Sequence, residues 1–255
     1  MKINNFNYHF KMRSSKDIAL NLGVIYKGLG YSKIDKNKIS NIYNILDSDI
    51  EDENYLSKLL KKIEILHMKE TDKINRMCEE MQKKWNEYGK EYKNIICNIF
   101  GITIDEDITE HTYCYLQTLP INEIDLNDNV IYLDCNKSIE EVFKKFIILL
   151  TKIILVNRWN SVNNLRFNTE FDISNKVFMF CEIAIDAIFE NSKLCKISSN
   201  PSYEYLYSLK IKGQNSMMYF RQLYKQISLD KFFTEVYMFV HKNYQILLKF
   251  KKYLY

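Results

Sequence analysis

"FKKFIILLTKIILVNRW", Phe143 to Trp159, is the most apolar run in the chain. Its reading decides the fold, because a stretch of this kind is a membrane span, a core helix or a helix that once carried catalysis. From Phe146 to Val156 the run holds 11 residues, and Lys152 interrupts it. A span needs about 20 apolar residues in succession, so the run predicts a buried helix. Ser138 and Glu141 precede it in capping-box spacing and mark its start.

Upstream, "HTYCYLQTL" at 111–119 and "VIYLD" at 130–134 carry β-branched and aromatic residues at strand length. Pro120 and the polar "NEIDLND" separate them. These two runs predict a small antiparallel or mixed sheet near residues 110–135. From Tyr55 to Phe100 there is no proline, and the single glycine is Gly89. Apolar residues recur there at spacings of three and four, among them Leu59, Ile63, Ile74, Met81, Trp85, Tyr92 and Phe100. This predicts two long helices, or one bent near "HMKETDK". Shorter helices are expected at 16–31 and 36–47. After the central run, "ISNKVFMFCEIAIDAIFENS", "NPSYEYLYSLKIKG", "SMMYFRQLYKQI" and "LDKFFTEVYMFVHKNYQILLKF" read as an aromatic-rich helical series. The fold class is α+β and predominantly α-helical, with residues 1–105 a helical N-terminal region and 106–255 a second body.

Composition narrows the function. The 255 residues include 6 Gly and 2 Pro, which leaves little material for tight turns or phosphate-cradling loops. The chain has no P-loop, GxGxxG or GxSxG. Its net charge of +4 comes from 36 basic and 32 acidic residues with the signs interspersed, which argues against a nucleic-acid binder. The six cysteines form no CxxC pair and have no zinc-finger spacing. Reduced thiols, a cytoplasmic location, no cofactor and no membrane association are the expectations, and "MKINNFNYHFKMRSS" has no apolar core of a signal peptide.

The order of elements over 111–190 resembles bacterial zinc-metallopeptidase-like proteins of the gluzincin type. In those proteins a strand ends at a proline, and a second strand leads into an acidic helix start. That helix carries HExxH and ends near a tryptophan, and a later helix supplies a glutamate as third metal ligand. Here "YCYLQTLP", "VIYLDCNKSIEEV", Trp159 and "FCEIAIDAIF" fill those places. The resemblance implies a zincin-like body and matches Glu182 to the third ligand. It departs at the motif itself, where "ILLTK" stands in place of HExxH. The chemistry needs two histidines at i and i+4 to hold zinc and a glutamate to deprotonate the bound water. Those positions are Ile148, Leu149 and Lys152. Ile148, Leu149, Lys152 and Glu182 then form a vestigial site, in which Lys152 can take part of the vacated charge position and pair with Glu182.

Other candidates have bland readings beside them. His9, His67, His111 and His241 are far apart in sequence. "HMKE" puts His67 and Glu70 on one helix face, as two metal ligands or as a surface pair. "HTYC" puts His111 and Cys114 on opposite faces of a strand, against a nucleophilic dyad. The aromatic tail from Tyr203 to Tyr255 reads as core or as a groove for a partner helix. The functional expectation is a pseudoenzyme: a metallopeptidase-like protein without catalysis that acts as a protein- or peptide-binding or regulatory module. One alternative is an enzyme with another site, drawing on Glu182, Lys152, Cys181 and the histidines. A second is a weakly basic nucleic-acid-associated or phage- and defence-related protein.

Overall fold

The computed structural model describes residues 10–14, 18, 55–102, 112–118, 122–126, 129–163, 171–198, 203, 206, 207 and 209–254. The helices expected at 16–31 and 36–47 lie outside the described residues, except for Ile18, which is buried. The chain is predominantly α-helical, with one small mixed sheet and a minor antiparallel hairpin. In chain order the elements are β1 (Phe10–Met12), α1 (Tyr55–Phe100), β2 (Tyr113–Gln117), β3 (Glu123–Asp125) and β4 (Val130–Asp134). They continue with α2 (Ile139–Asn163), α3 (Phe171–Glu190), α4 (Leu194–Ile197), β5 (Lys210–Ile211), β6 (Gln214–Asn215), α5 (Ser216–Gln226) and α6 (Leu229–Leu254). The residues gather into two compact units, Met1–Glu87 with Thr112–Lys145 and Tyr88–His111 with Phe146–Tyr255.

The first unit holds the sheet, in the order β1-β2-β4-β3. β1, β2 and β4 are parallel, and β3 runs antiparallel at the edge. The register sets Cys114 opposite Ile131 and Leu116 opposite Leu133, and all four are buried on one face. On the other face the rings of Tyr115 and Tyr132 stack at 5.9 Å. Side-chain alternation with period two produces this division. Both expected strands are present. The "NEIDLND" expected as a plain separator contains β3, and Asn129 (φ 52) turns the chain from it into β4. Asparagine takes this left-handed conformation more readily than most residues.

The first long stretch is one helix of 46 residues with no break at "HMKETDK". Ile63, Ile74, Met81 and Trp85 keep a buried stripe running through the polar segment. There Thr71 Oγ1 donates to the His67 carbonyl at 2.6 Å, and Glu70 pairs with Lys73 at 3.2 Å. At the start of α2, Ser138 and Glu141 form the expected capping box: Ser138 N–H donates to Glu141 Oε2 at 3.2 Å and Glu141 N–H to Ser138 Oγ at 3.3 Å.

In the second unit every residue from Phe146 to Val156 is buried. A helical stretch apolar on all sides must be enclosed, and this part of α2 is. Thr151 remains acceptable there because its hydroxyl bonds the Ile147 carbonyl at 2.8 Å and meets the Tyr92 hydroxyl at 3.0 Å. Trp159 is the hub of the aromatic core, 5.0 Å from Phe180, 5.6 Å from Tyr237 and 6.0 Å from Phe233 between ring centroids. Next to it, Arg158 Nε donates to the Phe100 carbonyl at 3.2 Å and so caps α1, whose path ends at left-handed Gly101 (φ 62). α3 packs against α5 and α6.

One element of the tail differs from its sequence reading. "LKIKGQN" is not helical but forms the β5–β6 hairpin, because Lys212 (φ 50) and Gly213 (φ 83) both adopt positive φ, as a tight primed turn requires. Asn215 then caps α5, accepting from the N–H groups of Met217 and Met218. Among the described residues no helix is long and apolar enough to cross a membrane.

Trp159 meets three rings at once, so Trp159→Ala should lower stability by roughly 3–5 kcal/mol. Urea unfolding checks this, and a loss below about 1 kcal/mol would contradict the assignment of Trp159 as the core hub.

Candidate functional site

The second unit contains all four residues of the expected vestigial site. Ile148, Leu149 and Lys152 lie on α2 and are 8%, 3% and 7% exposed; Glu182 lies on α3 and is 8% exposed. Ile148 and Leu149 have no atom that can bind a metal or move a proton, and both pack as core. Lys152 and Glu182 are not joined by the direct ion pair read from the sequence. The Lys152 ammonium is turned instead to the ring of Tyr203, 5.5 Å from its centroid. Cys181 lies within electrostatic reach of Lys152: burial pushes its thiol up to about 12, Lys152 pulls it down and Glu182 pushes it up. A thiol held protonated in this way is a poor nucleophile at neutral pH.

One turn after Glu182, α3 carries a pair that sequence reasoning missed. Asp186 is completely buried, and Arg221 of α5 grips it with both arms, Nε to Oδ2 at 2.7 Å and Nη2 to Oδ1 at 2.9 Å. Arg221 Nη2 also donates to the Tyr207 hydroxyl at 3.0 Å, and Nη1 lies 3.7 Å from Glu190. Burial pushes the Asp186 carboxyl up, and Arg221 holds it back only in part. The hydrogen bond to Asp186 raises Arg221 in turn. The guanidinium is shared among Asp186, Tyr207 and Glu190, so the cluster is a clasp between α3 and α5. The one available signal was the i, i+4, i+8 spacing of Glu182, Asp186 and Glu190 on α3.

In the first unit, polar groups gather where the parallel strands end. Arg13 follows β1; its Nη1 donates to Gln117 Oε1, and its guanidinium lies over the Tyr132 ring, 3.7 Å from the centroid. Asp134 at the end of β4 accepts from Asn136 N–H at 2.9 Å, while Asn136 Nδ2 donates to the Thr118 carbonyl at 2.9 Å. Asn122 Oδ1 accepts from Asp134 N–H at 3.0 Å, and Lys73 Nζ donates to Asn136 Oδ1 at 3.1 Å. Burial raises the Asp134 carboxyl against these bonds. The network ties β2, β3, β4 and α1 together.

His67 is not the surface residue its charged neighbours imply. It is 4% exposed, and its Nε2 has no hydrogen-bond partner. Glu70 pairs with Lys73 rather than joining His67 in a ligand set. His241 stacks on Tyr237 at 6.4 Å. His9 and His111 lie outside the described residues. All six cysteines are free thiols, and burial raises Cys78 and Cys135 to about 11. Among the described residues no three of His, Cys, Asp and Glu converge as metal ligands would. In the second unit a groove of about 540 Å³ is lined by Glu91, Asn94, Ile95, Asn98, Lys193 and Tyr224, among others. No protein-family model, no curated protein and no solved structure matches the chain.

Breaking the clasp leaves Asp186 buried without its partner. Arg221→Ala should therefore cost roughly 3–5 kcal/mol, and the paired change Asp186→Leu with Arg221→Met should cost less than Arg221→Ala alone. Denaturant melts of the two variants decide this. His67 gives a pH signature. Burial pulls its pKa below the ordinary 6.5. As pH falls through 6.5 the unfolded chain takes up a proton that the folded chain refuses, so this contribution to stability is present above 6.5 and is lost down to the depressed folded value. His67→Leu should flatten the fall in stability between about pH 8 and pH 5. An unchanged slope would show that His67 does not set it.

Proposed function

We propose that the chain is a non-catalytic, metallopeptidase-like protein that binds an extended protein or peptide segment as an interaction or regulatory module. The observation that carries this reading is the burial of Ile148, Leu149 and Lys152 at the positions the resemblance gives to HExxH. Ile148 and Leu149, side chains without ligand or base chemistry, fill that place as packed core. The order of elements supports it as well. β2 ends just before Pro120, β4 leads through the Ser138 cap into the acidic start of α2, and α2 passes Trp159 before α3 brings Glu182.

The edge of the sheet supplies the binding mode. Among the described residues β3 is an edge strand, and it pairs with β4. An extended peptide adds to such an edge through main-chain hydrogen bonds, and pockets for alternate side chains give selectivity. An enzyme built on Cys181 is the weaker reading, because its thiol is raised to about 12.

The test has two measurements on the purified chain. Metal analysis should find no stoichiometric zinc; one zinc per chain would sink the reading. A peptide selected for binding should lose at least about tenfold in affinity, about 1.4 kcal/mol, when alternate backbone nitrogens are methylated. Equal binding of the methylated peptide would exclude strand addition.

A further inference from the structure

The groove of about 540 Å³ in the second unit lies within the range of about 300–1,000 Å³ found for ligand clefts. Much of its lining is one face of α1, where Glu91, Asn94, Ile95, Asn98 and Ile99 follow one another at helical spacings of three and four. Tyr92, Ile96 and Phe100 of the same helix are buried and hold that face in place. The rest of the lining is Lys193, at the start of α4, and Tyr224 of α5. Asn191 Nδ2 fixes these two, donating to the Ala187 carbonyl at 2.8 Å and to the Arg221 carbonyl of α5 at 3.0 Å. The Tyr224 ring meets Phe232 edge-on at 5.2 Å. Among the described residues the side chains of Glu91, Asn94, Asn98 and Lys193 make no hydrogen bond or ion pair, and the Tyr224 hydroxyl has no hydrogen-bond partner. One exposed amide of this kind is simply solvated. Here two amides, two opposite charges, a phenol and two isoleucines line a single concavity.

We propose that this groove binds an extended peptide segment and that Asn94 and Asn98 read its main chain. A carboxamide carries an acceptor oxygen and N–H donors on one planar group. It can therefore meet both the N–H and the C=O that one residue of an extended chain presents on the same side. Four residues of helix rise about 6.0 Å, and alternate residues of an extended chain repeat at about 6.6 Å. The two amides thus fall in step with two residues of the segment that face the same way. A helical ligand keeps its main-chain groups bonded within itself and offers these amides nothing. Ile95 and Ile99 stand at the same interval and take apolar side chains of the segment. Glu91 and Lys193 carry opposite charges, so the fitting segment holds one basic and one acidic side chain. A small ion would use one of those charges and leave the amides unmet. That the ligand is a peptide rests on the reading above. The location is new: no residue of β3, which belongs to the first unit, lines this groove.

The experiment uses the full chain. A displayed library of random nonapeptides is panned on it, and the enriched peptides are synthesised with both ends capped. The double variant Asn94→Ala with Asn98→Ala should keep the wild-type Tm within about 2 °C, because both side chains are exposed and alanine favours helix. It should bind at least one enriched peptide about tenfold more weakly or worse. Glu91→Lys, also at an exposed position, should weaken the same peptide by a similar factor, and panning on that variant should enrich an acidic residue where the wild type selects a basic one. Strand addition at β3 would share a sensitivity to backbone methylation but not a response to Asn94 or Asn98. If every enriched peptide binds the wild type and the double variant alike, the groove is overturned and the peptide reading stands with another surface as its site. If repeated panning enriches no peptide, the peptide reading and the groove fall together.

Discussion

A helix with no polar side has to be enclosed on every side, and α2 imposes this requirement on the second unit. Eleven consecutive residues, Phe146 to Val156, are removed from solvent. Enclosure of this kind sets rules for whatever polarity remains. Thr151 is tolerated because its hydroxyl bonds back to its own helix and across to Tyr92. Arg158, near the end of the run, uses its guanidinium to close the end of α1 and lies 3.9 Å from Asp230. Lys152 is the one ionisable side chain between Phe146 and Val156, and it turns to the ring of Tyr203.

The face of α3 shows the complementary problem. Glu182, Asp186 and Glu190 follow one another at intervals of four, so three carboxylates share one side of a helix whose body is otherwise core. Arg221 answers two of them, gripping Asp186 and reaching toward Glu190. This arrangement specifies which helices meet more than it stabilises their meeting. An apolar contact could slide by a turn, whereas a bidentate pair at 2.7 and 2.9 Å cannot.

Much of this architecture was legible because its signals are local. The periodic apolar positions of α1, the Ser138–Glu141 cap and the β-branched run of β4 each act over a few residues, and each is where the sequence places it. The turn chemistry was less legible: in "LKIKGQN" Leu209 and Ile211 alternate with lysines as in a strand, but the run is too short to stand apart from the helical series around it, and the hairpin rests on the conformations of Lys212 and Gly213. The site was legible in part. Residue chemistry alone shows that Ile148 and Leu149 cannot serve a metal. The orientation of Lys152 toward Tyr203 depends on packing between segments about fifty residues apart, and the Asp186–Arg221 clasp spans a separation of 35. His67 was misread because its neighbours in sequence are charged, while its helical face belongs to the buried stripe.

β1 carries a consequence for how the chain acquires its structure. Its three residues pair with β2, and Arg13 meets Gln117 across a sequence separation of 104. Closing a loop of that size costs roughly 4 kcal/mol in the simplest chain model before any contact repays it. α1 needs no such closure, since its bonds are all local and helical turns form in well under a microsecond. On the ribosome the partner of β1 emerges only after the whole of α1 has been made. The first strand among the described residues is thus among the last that can be placed, and the polar cluster around Arg13 waits with it.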